Sequence, residues 1–214
     1  MIIHVRNFGK IESADIDLSN LVIFVGENNS GKTYLMQLIY GLFSFFYSRE
    51  FSAFSPSFNI LDIDNKLTEI KSDDNAFYKT FQDELNSFIL QNKDNIVAST
   101  FHTHNLTIGS LSVEFKTIPY DFLLKYEGEY ERSGKVFEGY SICKSDEKIS
   151  NIGFGRNFPK DDLIRIIKSE LMFTILSDLT GLTFKRNSIQ DTKPFIYLPA
   201  SRSGIMLLYA NYLS

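Results

Sequence analysis

Hydrophobic and polar positions change their period several times along the chain, and each change marks an element. Residues 2–7 and 14–18 alternate on either side of "FGKIES", which predicts a hairpin or two short strands. "LVIFV" (21–25) is a continuous apolar run rich in β-branched residues, the pattern of a strand buried on both faces. It leads straight into Gly26. Beyond Lys32 the period becomes helical: Leu35, Leu38, Ile39, Leu42, Phe43 and Phe46 share one face. The order is strand, glycine loop, helix.

The middle of the chain reads differently. "FSAFSPSFN" (51–59) is a loop or linker by its Ser and Pro content. Residues 75–91 return to helical spacing at Phe77, Phe81, Leu85, Phe88 and Ile89. Residues 106–115 and 122–145 predict antiparallel strands, with "RSG" at 132–134 as a turn. A further helix is expected over 159–181: Pro159 opens it, Asp161 and Asp162 stand in its first turn, and Gly181 follows it. "FIYLP" (195–199) reads as another buried strand, and residues 203–214 as the opening of a helix.

Composition narrows the class. The 214 residues include 43% hydrophobic and 22% charged positions, 20 Phe, 11 Tyr and no Trp, enough for a real core. The formal net charge of -4 advertises no overall basic surface for nucleic acid. Between 51 and 160 sixteen acidic residues outnumber twelve basic ones. A lone cysteine, Cys143, excludes an internal disulfide framework and fits a reducing cytoplasm. The N-terminus lacks the pattern of a signal peptide, and the most apolar run, 38–47, is too short to span a bilayer. A soluble cytoplasmic protein is expected.

Residues 26–33, "GENNSGKT", follow G-x-x-x-x-G-K-T between a strand and a helix, the context in which this spacing binds phosphate. Gly26 allows the turn out of the strand, where a side chain would be hindered. Asn29, Ser30, Gly31, Lys32 and Thr33 can turn backbone N–H groups inward as an anion nest at a helix N-terminus. Lys32 reaches the β and γ phosphates of ATP as a mobile point charge. Thr33 offers its hydroxyl to Mg²⁺.

The stretch "HVRNFGKIESADIDLSNLVIFVGENNSGKT" (4–33) resembles the opening of an ABC-type AAA ATPase of the RecF, SMC and OLD kind. "FIYLPASRSG" (195–204) is similar to the segment that follows the insertion in prokaryotic members. The resemblance implies an α/β fold: half of an ABC-ATPase-like P-loop NTPase core, with an α+β insertion containing antiparallel strands. It divides the chain into an N-terminal lobe (1–50), an insertion with a helical segment (51–190), and a core strand with the start of an arm or lid helix (191–214). It implies that Asn28 fixes the loop's shape or contacts phosphate. It puts Arg6, Asn7 and Phe8 near the adenine or ribose edge, the other reading being a turn with Phe8 in the core. Arg202 falls where the family has its Q-loop, although no glutamine stands there; capping the next helix or pairing with a carboxylate is its alternative. The function implied is an Mg-ATP-dependent clamp working in DNA repair or antiviral (phage) defence. It would act as a homodimer or higher oligomer or with a complementary ATPase half, beside a nuclease or toxin, with DNA as a possible ligand of the complete protein and no membrane.

Hydrolysis asks for an acid at the end of a hydrophobic strand and a carboxylate to orient water. "NILDID" (59–64) comes nearest, with an apolar run of only two residues, and no signature motif follows. The chain therefore reads as the N-terminal part of an ATPase core, inactive alone, with no catalytic residue assigned. A self-sufficient P-loop kinase and a non-hydrolysing ATP-sensing scaffold are the other readings. Smaller features favour bland roles. His102 and His104 could ligate zinc but lack a third ligand nearby. Cys143 fits a small core residue. "EGEYER" (127–132) fits a solvated strand face, and Lys185, Arg186 and Lys193 a solvated loop.

Overall fold

The computed structural model describes residues 1–18, 22–57, 67–70, 75–115, 121–144, 147–155, 158–180 and 205–206. The chain is mixed α/β with antiparallel sheets and divides into two units. One holds Met1–Phe54, Gln82–Lys116 and Leu176–Ser214; the other holds Ser55–Phe81 and Thr117–Ile175.

In the first unit, β1 (Ile2–Phe8) lies between β2 (Ile11–Asp17) and β5 (Ile108–Glu114), both antiparallel to it. Ile3 and Val5 alternate into the core, then the pattern breaks. Asn7 takes φ 51, which leaves its own side chain exposed and buries Phe8. Gly9, with φ 58, opens the Gly9–Lys10 turn of the expected hairpin. The pairing of β5 with β1 was not foreseen; nothing local in either segment announces a partner about a hundred residues away.

Helix α1 (Lys32–Phe46) buries the six apolar residues that share its predicted face, together with Met36 and Phe45. At Gly41 a Cβ would overlap Thr100 of α2 (Asn75–Phe101), so the glycine lets the two helices approach. Phe45, Phe51, Phe54 and Phe88 join them in one aromatic cluster, with centroids of Phe45 and Phe88 5.9 Å apart and of Phe54 and Phe88 5.2 Å apart. Helix α2 outruns the expected 75–91 by ten residues.

Side chains of α2 also close the outer edge of β5. Asn86 Nδ2 donates to the Val113 carbonyl at 2.9 Å, and the Val113 N–H donates to Asn86 Oδ1 at 2.7 Å. Gln82 Oε1 accepts from the Phe115 N–H, and Lys93 Nζ donates to the Ile108 carbonyl, both at 2.9 Å. These groups do for the edge what another strand would do.

Two expectations are corrected at β3 (Val22–Ile23). Residues 21–25 were expected to form a strand buried on both faces, yet of those described only Val22 and Ile23 are strand, and Ile23 is 58% and Val25 89% exposed. An apolar run is only as buried as the neighbours laid against it, and β3 pairs with the two-residue β9 (Ile205–Met206), antiparallel. That ladder also makes Ile205 and Met206 a strand where a helix was expected; a short apolar run fits either period. The expected strand at 195–199 lies outside the described residues.

The second unit contains an antiparallel sheet ordered β4 (Leu67–Ile70), β6 (Phe122–Arg132), β7 (Lys135–Lys144), β8 (Glu147–Gly155). Ser133 and Gly134, with φ 54 and 71, make the expected turn, both angles being positive as a type I′ turn requires. Leu163 and Ile167 of α3 (Lys160–Thr180) pack with Tyr140 and Phe154 of the sheet. Among the described residues no helix is long and apolar enough to cross a membrane.

Two substitutions test this packing. Asn86→Ala strands a buried N–H and a buried carbonyl on Val113 and should cost about 1–3 kcal/mol in denaturant melts. Asn86→Asp keeps the acceptor for the Val113 N–H but sets a carboxylate oxygen against the Val113 carbonyl, so it should not restore the cap; no loss in either would mean that the edge does not need the cap. Gly41→Ala should lower the melting temperature despite alanine's higher helix propensity, by about 1–3 kcal/mol of overpacking. Adding Thr100→Ala should recover most of that loss.

Candidate nucleotide-binding site

The loop at 26–33 leaves β3 and enters α1. Gly26 has φ 152, Asn29 φ 68 and Gly31 φ 89, so the backbone reverses repeatedly in conformations that suit glycine and tolerate asparagine. A Cβ on Gly26 would stand 3.5 Å from Ser30 Oγ and 3.8 Å from Lys32 Nζ, filling the hollow of the loop. Helix α1 starts at once after Gly31, with the Leu35 N–H donating to the Gly31 carbonyl at 3.0 Å. No side chain caps this N-terminus, and no acidic residue stands in its first turn. Its leading N–H groups and the positive end of its dipole are left for an anion.

Lys32 folds back over the loop. Its Nζ donates to the Gly26 carbonyl at 2.6 Å, to the Glu27 carbonyl, and to Ser30 Oγ at 3.0 Å. The ammonium is thus held among loop oxygens, and among the described residues it meets no carboxylate. Thr33 is exposed beside it, as are Asn28, Asn29 and Ser30. One ammonium, one exposed hydroxyl and the uncapped N–H groups at the head of α1 fit a triphosphate with its Mg²⁺.

The hairpin turn is laid against this loop. A Cβ on Gly31 would sit 3.0 Å from Ile11 Cδ1, so Ile11 occupies the space that a side chain there would take. Phe8 is buried and meets Tyr34 edge-on, with centroids 6.3 Å apart. Asn7, Gly9, Ile11, Asn105 and Thr107 line a cleft of about 520 Å³ beside the turn.

The residues expected near the base part company here. Asn7 faces the cleft. Arg6 is engaged elsewhere: its Nη2 meets Asp15 Oδ1 at 2.7 Å, and its Nη1 donates to the Val5 and Ala14 carbonyls at 2.9 and 3.2 Å. Asp15 also pairs with His4 Nδ1 at 2.7 Å, and His4 Nε2 faces Glu114 at 3.2 Å. The hydrogen bond from His4, then that from Arg6, holds the Asp15 carboxyl below its ordinary 3.8. Phe8 follows the core alternative. Arg202, Lys185, Arg186 and Lys193 lie outside the described residues.

The minor candidates stay apart. Phe101 ends α2, and His102 and His104 follow in an exposed turn. Among the described residues no group of three His, Cys, Asp or Glu could hold a metal ion. Cys143 is half-buried, with Sγ 3.9 Å from Ser141 Oγ. Within "EGEYER", Glu127 accepts from buried Ser141 Oγ at 2.6 Å and from Lys148 Nζ at 3.2 Å. Those bonds lower its pKa and fix the β6 bulge near Gly128. Tyr34 and Phe101 were not singled out from sequence; the signal at hand was an aromatic residue directly after Gly-Lys-Thr.

A strand, a glycine-rich turn with a lysine folded into it, and an uncapped helix define a protein that holds nucleoside phosphates. The AAA ATPase domain matches residues 1–191, and the chain belongs to that family of ATP-binding ATPases. No curated protein and no solved structure matches the chain.

The Asp15 contacts make a pH test. A lowered carboxyl pKa contributes stability that is complete above 3.8 and fades as pH falls through the folded value. Asp15→Asn should therefore lower the melting temperature at about pH 6 and make progressively less difference toward about pH 2.5. An equal loss at both ends would exclude the linkage.

Proposed function

We propose that residues 26–33 hold the triphosphate of Mg-ATP and that the chain is the phosphate-holding part of an ABC-like AAA ATPase. The observation that carries this is the uncapped first turn of α1 together with Lys32 folded back over the loop before it. Gly26, Asn28, Asn29, Ser30 and Gly31 shape the cradle, Lys32 meets the β and γ phosphates, and Thr33 contributes its hydroxyl to Mg²⁺. The ion, when bound, neutralises charge on the phosphate oxygens. Asn7 lies on the side proposed for the nucleoside, and Arg6 serves it by anchoring the hairpin through Asp15.

The resemblance to RecF, SMC and OLD proteins supports a finer reading. ATP would sit between this loop and a signature motif of a second copy or complementary half, acting as a clamp that hydrolysis releases. Exposed Ile23 and Val25, just before the loop, support a neighbour packed against β3. The same resemblance supports a cytoplasmic role in DNA repair or phage defence alongside an effector.

The test is thermal stabilisation and phosphate release with Mg-ATP, beside Lys32→Ala. Ligand at about 100 times Kd should stabilise the chain by roughly 2.7 kcal/mol, an effect lost in Lys32→Ala, with no steady turnover. Turnover of about 1 s⁻¹ or more by the isolated chain would make it a self-sufficient enzyme and sink the phosphate-holding reading.

A further inference from the structure

Tyr34 follows Thr33 directly, in the first turn of α1. The apolar face of that helix begins one residue later, at Leu35, so the helix does not need Tyr34 for its core. The ring is nevertheless fixed. It lies parallel to Phe101, with centroids 5.4 Å apart and planes 14° apart. Phe8 supports both rings, edge-on to Tyr34 at 67° and tilted against Phe101 at 5.6 Å. Phe8 is 1% exposed and Tyr34 is 51% exposed. One face of the tyrosine is backed by protein, and the residue still presents half its surface to solvent.

An aromatic ring held from behind is a stacking surface whose ordering cost is already met by the fold. Its position gives it a partner. Phosphates seated on the N–H groups at the head of α1 end beside Thr33, and Tyr34 carries the next side chain along the helix. The pair Phe8 and Ile11 ties the hairpin turn to the same place, Phe8 against the ring and Ile11 against Gly31. The supporting residues thus come from three separate parts of one unit: β1, the start of β2 and the end of α2.

We infer that Tyr34, backed by Phe101, is the surface on which the base of the bound nucleotide stacks. This rests on the phosphate-loop reading above and extends it to specificity. A π-face recognises any base and favours the larger ones, so the site should prefer purine to pyrimidine triphosphates and discriminate little between adenine and guanine. It should also prefer a nucleotide to a bare polyphosphate, by the contribution of the stack.

The chain contains no tryptophan, so Tyr34→Trp introduces a single reporter. ATP with Mg²⁺ should change the emission of that residue, whereas inorganic tripolyphosphate should leave it unchanged while competing for the loop. In direct binding measurements on the whole chain, Tyr34→Ala should weaken ATP by about 5- to 100-fold and leave tripolyphosphate affinity as it was. Tyr34→Phe, which keeps the ring, should bind ATP like the parent. Lys32→Ala should weaken both ligands. If Tyr34→Ala binds ATP normally, or loses both ligands equally, the stacking role is overturned while the loop reading stands. If Lys32→Ala binds both ligands as the parent does, the loop reading fails and the stacking role fails with it.

Discussion

The absence of a side chain at Gly31 is the constraint on which the site depends. With φ 89 it ends the loop in a left-handed conformation and starts α1 in the next residue. It also leaves the space that Ile11 enters at 3.0 Å from where a Cβ would be. One missing methyl group therefore serves two purposes. It permits the left-handed backbone from which α1 starts directly, and it lets the β1–β2 hairpin rest on the loop. Any other residue would meet strain in the first respect and a collision in the second.

The hairpin is held in turn by what surrounds β1. As the central strand it is paired on both sides, and its outward residues are tied across the sheet, His4 and Arg6 to Asp15 and His4 to Glu114. Exposed pairs of this kind contribute little stability one by one. Their register matters more: they fix β2 and β5 against β1 along the strands that carry the turn toward the loop. The far edge of β5 is closed by Asn86, Gln82 and Lys93 of α2, and the same helix supplies Thr100 against Gly41 and Phe101 against Tyr34. Helix α2 thus joins the edge of the sheet to the head of α1.

Much of this could be read from the chain, and the limits have physical causes. Helix α1 was legible because its apolar residues keep helical spacing, and the 133–134 turn because only small or polar residues accept two successive positive φ angles. The end of α2 was not: residues 92–95 are Asn, Lys, Asp and Asn, and only Ile96 and Val97 mark its buried side further on. Strand β8 was missed for a similar reason, since "EKISNIGFG" lies at the edge of its sheet and has no clean alternation. Partners distant in sequence, such as β5 for β1, leave no local trace. The placement of the loop between a strand and a helix was legible from spacing alone, but the engagement of Arg6 by Asp15 depends on a cross-strand register that only pairing reveals. The same is true of Tyr34, whose neighbours Phe8 and Phe101 are far from it in sequence.

The starts of α1 and α3 differ in the groups that face their positive ends. Helix α3 answers its own positive end: Asp161 and Asp162 stand in the first turn, and Asp162 is steadied by Arg165 at 2.9 Å. Helix α1 has neither an acid there nor a capping side chain. Glycine at the cap in place of serine or aspartate costs only a few tenths of a kcal/mol. A carboxylate in that position would instead repel every phosphate that approached and would draw Lys32 out of the loop. The small stability forgone at α1 keeps its N–H groups and the lysine available to one class of ligand. At α3 the positive end already faces its own aspartates, so the two helix starts differ in what they offer an anion because they differ at two or three residues.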